Sequence, residues 1–143
     1  MKTRYFALVF GVVYLIVGIL GFVPSLIPLP PEAPPLAIHA SYGYLFGLFP
    51  VNIIENIVHM AIGIWGLTAW RDWQTARGFS RSNAVIFGIL AVLGFVPGLD
   101  TVFGLVPLHS HNIWLHAVTA IIAAYFGWAA VSRTSERETT VLR

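Results

Sequence analysis

The eight Lys and Arg residues of this 143-residue chain fall into three clusters, Lys2/Arg4, Arg71/Arg77/Arg81 and Arg133/Arg137/Arg143, separated by long apolar stretches. Basic residues near a helix end resist translocation, so a Lys/Arg excess marks the cytoplasmic loops of a membrane protein. If every cluster stays inside, the chain must cross and return between them. This predicts an all-α integral membrane four-helix bundle with both termini cytoplasmic. Composition agrees, with 57% of residues hydrophobic and 10% charged, where soluble domains carry roughly 25% charge. The net charge of +2 resides in the basic clusters and suits anionic lipid headgroups, so nucleic-acid binding is not implied. The absence of cysteine excludes disulfides, thiolate metal sites and cysteine nucleophiles.

Hydropathy and proline placement predict helices over about 5–22, 51–70, 83–96 and 112–131 within one domain, 1–132, followed by a polar cytoplasmic tail, 133–143. The first apolar run is longer than the ~7–15-residue core of a signal peptide and lacks a small-x-small cleavage site after it, so it is expected to be a retained helix. The segment RDWQTARGFSR is expected to be an inner loop. Residues 24–45 form an outer proline-rich loop, part of it extended polyproline II, and the apolar, aromatic stretch 36–48 is expected to lie at the membrane surface as a short helix. Trp65, Trp70, Trp73 and Trp128 fall toward inner helix ends and Trp114 toward an outer one, as amphipathic rings prefer interfaces.

An internal repeat organises these elements. GFVP occurs at 21–24 and again at 94–97, and FGLFPVNIIENIVH, 46–59, aligns without a gap on FGLVPLHSHNIWLH, 103–116. The unit is a two-helix hairpin in tandem. Two copies entering from the same side should be related by a pseudo-twofold axis along the membrane normal, with equivalent residues of helices 2 and 4 converging on it.

Asn52, Glu55, Asn56, His59 and Gly63 recur at helical i, i+3, i+4, i+7 spacing, making one polar face in an apolar helix. Helix 4 repeats the pattern with His109, Asn112, His116 and Thr119. Polar groups are costly in hydrocarbon and should turn inward and pair. The partner helices carry small residues instead, Gly11, Gly18 and Gly21 on helix 1 and Ala84, Gly88, Ala91 and Gly94 on helix 3, which permit close approach. The polar core has three readings. It is interhelical glue, with Glu55 hydrogen-bonded to His59 or His116 and Asn52, Asn56 and Asn112 satisfying the rest. It is a ligand set, with His59 and His116 binding haem b, or those two with Glu55 binding a divalent metal. Or it is a proton or ion path through Glu55, His59 and His116. His39, His109 and His111 belong to outer loops or helix ends, where with His116 they would offer only a loose surface metal site. The run Tyr42, Tyr44, Phe46 and Phe49 could grip a lipid, quinone or pigment, but reads first as interfacial anchoring. No phosphate-binding loop, nucleophile elbow or HExxH motif is present.

At FGLFPVNIIENIVHMAIGIWGL and FGLVPLHSHNIWLH the chain resembles an uncharacterised family of small bacterial four-helix integral membrane proteins, a domain of unknown function. The resemblance covers nearly the whole chain apart from the proline-rich loop and the tail. It implies the fold and a bacterial inner-membrane setting, and lends no activity. The family pattern places His-Asn-x-x-His in helix 2 and an Asp-Asn-x-x-His-like run in helix 4. His59, His116 and Asn56 match it, whereas Glu55, Asn112 and Ile113 depart from it.

The expectation is therefore a non-enzymatic, multi-pass protein of the bacterial cytoplasmic membrane, an interaction or accessory subunit of a larger membrane complex or a homo-oligomer. A haem- or metal-binding electron-transfer module is the alternative.

Overall fold

The computed structural model describes residues 2–130; the tail 133–143, its basic cluster and the expected end of helix 4 at Val131 lie outside the described residues. Four helices dominate: α1 (Lys2–Leu20), α2 (Ile53–Ala69), α3 (Trp73–Phe95) and α4 (His111–Ala124), the last continuing through a wider turn at Tyr125–Ala129. α1, α3 and α4 with its extension are long and apolar enough to cross a membrane. At 17 residues, α2 sits at the short limit of the range of about 17–25 for a spanning helix.

The helices pack as two tight pairs, α1 with α2 and α3 with α4. The α1/α2 seam runs backbone against backbone. A Cβ at Gly63 would lie 2.6 Å from the Leu15 nitrogen, and one at Gly66 would lie 2.7 Å from the Gly11 Cα. Small residues are what allow helix axes this close without side chains between them. The α3/α4 seam is looser at its middle, where a Cβ at Gly88 would meet only the Ala120 Cβ, at 4.0 Å, and tightens at Gly94, where a Cβ would lie 2.7 Å from the Leu108 carbonyl oxygen. The two pairs join through aromatic packing of α1 on α3. Phe10 packs edge-on against Phe79 and Phe87, and Tyr14 against Phe87, with ring centroids 5.3–6.1 Å apart.

α3 begins at Trp73, ten residues before the expected start at about 83. Most of the basic segment read as a loop is helix. Asp72 caps it, its carboxylate accepting from the Thr75 N–H at 2.9 Å, and this bond holds the Asp72 carboxyl below its ordinary range. The cap satisfies an otherwise orphaned N–H, and hydropathy alone does not register it. Arg4 donates to the Trp70 carbonyl at 2.8 Å, so the first two basic clusters share one end of the bundle. There Arg4, Arg77 and Arg81 lie over the rings of Trp70, Trp73 and Trp128. Arg77 and Arg81 both donate to the Gly127 carbonyl, at 3.0 and 2.9 Å, meeting a group exposed where α4 widens into its π-turn.

The opposite end carries the long first loop. The short surface helix expected over 36–48 is absent. An antiparallel hairpin stands there instead, β1 (Gly43–Leu45) against β2 (Phe49–Val51), with Tyr44 opposite Pro50. Phe46 and Gly47 turn the chain with φ of 55° and 73°, left-handed conformations that end a helix rather than extend one. The loop is pinned to its neighbours: the Ala37 N–H donates to the Gly104 carbonyl at 2.9 Å and the Phe46 N–H to the Leu26 carbonyl at 2.8 Å. The Tyr42 hydroxyl donates to the Pro34 carbonyl at 2.8 Å.

Candidate functional site

The polar face predicted for α2 is buried, and α4 brings its counterpart to meet it. Asn52, Glu55, Asn56, His59, Asn112 and His116 are all at least nine-tenths buried. The three asparagines spend their hydrogen bonds on the loops, not on the histidines. Asn52 caps α2, accepting from the Glu55 N–H at 3.1 Å, while its own amide donates to the Leu105 carbonyl at 2.7 Å. Asn112 answers from the other hairpin, donating to the Pro50 and Pro107 carbonyls at 2.7 and 2.8 Å. Asn56 ties α2 to the end of α1 through the Gly21 carbonyl at 2.7 Å. Each hairpin thus holds the other's loop.

Glu55 lies at the centre. Its Oε1 accepts from the Asn112 amide at 3.3 Å and stands 4.0 Å from the Nε2 of both His59 and His116. The expected hydrogen bond from Glu55 to either histidine is not made, because 4.0 Å lies beyond the ~2.7–3.2 Å of an N–H···O bond. The two rings do converge on one carboxyl group. Glu55 Oε2, His59 Nδ1 and His116 Nδ1 are buried without hydrogen-bond partners among the described residues.

A cleft of about 470 Å³ opens beside this group between α1 and α4. Tyr14, Glu55, His59, Asn112, His116 and Thr119 make its polar floor, and valines of α1 with Leu115 and Ile122 of α4 make its walls. A smaller space of about 110 Å³ between α2 and α3 reaches the same Glu55, His59 and His116 from the other side. Tyr14 and Phe87 set the two rings from below, Tyr14 edge-on to His59 at 5.1 Å and Phe87 tilted against His116 at 5.4 Å. Neither aromatic residue stands out in the sequence, where each is one apolar position among many. Asn83, buried on α3 and donating to the Phe79 carbonyl at 2.8 Å, was not anticipated either; it directly follows Arg81 and Ser82, where the sequence reads as the end of a polar loop.

The outer histidines do not assemble. His111 accepts from the Trp114 indole at 2.9 Å, His109 is buried beside Tyr44 and His39 is exposed. Burial lowers the His109 pKa, with Asp100 opposing. Among the described residues no group of three or more His, Asp or Glu side chains is arranged to hold a metal ion.

No curated protein and no solved structure matches the chain. One family does, along nearly the whole described fold: residues 4–129 match the domain of unknown function DUF4383, and the chain belongs to that family.

Proposed function

We propose that this is a multi-pass protein of the bacterial cytoplasmic membrane, with four spanning helices and both termini in the cytoplasm, that works without catalysis as an accessory subunit of a larger membrane complex. The observation that carries the reading is the reciprocal asparagine clamp, Asn52 on the Leu105 carbonyl and Asn112 on the Pro50 carbonyl. It commits Asn52 and Asn112 of the core to fixing two hairpins against each other. Recognition inside the bilayer is the use that suits such a scaffold, whose α3 turns Val85, Ile89 and Val92 outward.

Two tandem repeats as the origin of the fold are supported by the backbone at their equivalent turns. Phe46-Gly47 and Phe103-Gly104 have left-handed φ values of 55° and 73° and of 58° and 84°. The topology is supported by the shared end of Lys2/Arg4 and Arg77/Arg81, in line with basic residues on the cytoplasmic side.

Purification from native membranes in gentle detergent is the test of the role. Co-purification of a defined larger membrane protein in fixed ratio is expected, and a solitary monomer would overturn it. Because the chain has no cysteine, single cysteines at positions 2, 46 and 103 read out topology directly. Impermeant maleimide should reach 46 and 103 from outside intact cells and not 2.

A further inference from the structure

We infer that the cleft between α1 and α4 binds a neutral, single-tailed membrane amphiphile with a hydroxyl-bearing head, the head seated on Glu55, His59 and His116 and the tail running out between the helices. The inference rests on the bilayer placement of the protein and not on its accessory role.

Four observations meet here. The cleft, at about 470 Å³, falls in the range of about 300–1,000 Å³ typical of small-molecule sites. The residues of its floor carry three buried polar atoms with no partner among the described residues, Glu55 Oε2, His59 Nδ1 and His116 Nδ1, and unpartnered polar groups in an apolar interior are costly. Its rim is formed by Val9, Val13 and Ile122, which are 60%, 48% and 44% exposed. A molecule can therefore enter sideways from the acyl region without crossing a headgroup layer.

The fourth observation is the asymmetry of the two spaces flanking Glu55. Aligning the repeats pairs Tyr14 with Phe87, Asn112 with Glu55 and Thr119 with Ile62. The small α2/α3 space has Phe87 and Ile62 where the large cleft has Tyr14 and Thr119. The side that is wide is also the side where hydrogen-bonding residues replace hydrocarbon. Duplication supplied two equivalent spaces, and only one has been given both volume and polarity.

Charge selects the head. Among the described residues no Lys or Arg lines the cleft, so a phosphate or carboxylate head would be buried there without a counter-charge, which is costly. A neutral imidazole offers one donor and one acceptor, and a hydroxyl can answer both. A straight-chain fatty alcohol and an isoprenoid quinol share this chemistry.

The experiment is photolabelling of the full chain in phosphatidylcholine nanodiscs with a diazirine-bearing hexadecanol, mapped by mass spectrometry. Saturable labelling at Val13 and Leu115 is expected, above a non-saturable background at lipid-facing positions such as Val92. Val13→Trp, at a half-exposed wall position, should cut the saturable labelling roughly tenfold, as should His116→Phe through loss of head contacts, while Val92→Trp leaves it unchanged. Competition by hexadecanol or by ubiquinol supports the site and distinguishes the two sources. Equal competition by palmitate or lysophosphatidylglycerol overturns the neutral-head assignment. Labelling that never saturates, or that Val13→Trp leaves intact, overturns the site, whereas no labelling at Val92 either would overturn the bilayer placement itself.

Discussion

Replacing Gly63 by alanine tests whether the two helix seams differ as their geometry requires. The added Cβ would lie 2.6 Å from the Leu15 nitrogen and 2.8 Å from its Cα, against an ordinary carbon contact of about 3.5–4.0 Å. Backbone cannot rotate away as a side-chain tip can, so α1 and α2 must part by about 0.7 Å. A gap of that size forfeits roughly a quarter to a half of the dispersion energy across the seam, and overpacking of this kind costs about 1–3 kcal/mol. The better helix propensity of alanine returns about 1 kcal/mol, so a mid-range overpacking cost of about 2 kcal/mol leaves a net loss of about 1 kcal/mol. Gly88→Ala makes the comparison, because its Cβ would find only Ala120, at 4.0 Å. It should be neutral or stabilising by up to about 1 kcal/mol. Reversible unfolding in mixed micelles, titrated with SDS and followed by circular dichroism, reads both variants on one scale. Equal shifts of the two midpoints, or a Gly63→Ala protein as stable as wild type, would refute the reasoning.

The remaining predictions concern the two ends of the bundle. Asn112→Leu should destabilise the protein by about 2 kcal/mol, since it leaves the buried Pro50 and Pro107 carbonyls without their donor; an unchanged unfolding midpoint would remove the clamp. Arg77→Gln with Arg81→Gln should speed amide exchange at 125–130 by roughly tenfold, because Gly127 loses both donors, and either single variant should do less. Burial lowers the His109 pKa, so between the folded and unfolded values the unfolded chain binds more protons. Stability should then fall as pH drops through about 6.5, and His109→Gln should flatten that dependence; a slope identical to wild type would assign it elsewhere.

Much of this was legible before any coordinates. The spacing of Asn52, Glu55, Asn56 and His59 fixes a single helical face, and the cost of polar groups in hydrocarbon turns that face inward whatever the tertiary detail. The gapless alignment of 46–59 on 103–116 brings His116 to the same place. What failed to show did so for physical reasons. The start of α3 is polar, so a hydropathy reading takes it for a loop, although Asp72 three residues before Thr75 is a cap signal of the kind that opens helices. The β1/β2 hairpin is as apolar and aromatic as a surface helix, and only Gly43, Gly47 and Pro50 speak against one. Glycines on both hairpins look equivalent in sequence, yet Gly11, Gly63 and Gly66 bring two helix backbones together at mid-seam while Gly88 does not, because approach distance depends on the partner helix. The cleft belongs to no segment at all. It exists because α1 and α4 come from different hairpins and do not close on each other beside Glu55.

The central claim is that one carboxyl group from the first hairpin stands between two imidazoles, one from each hairpin. Solid-state NMR dipolar recoupling in native-like lipid, with ¹³C on the Glu55 carboxyl and ¹⁵N on histidine, measures this directly. The account predicts couplings from Glu55 to Nε2 of both His59 and His116, corresponding to about 4 Å to the nearer carboxylate oxygen. Coupling to His59 alone, with His116 beyond detection, would mean that the second hairpin does not bring its imidazole to Glu55 and would contradict it.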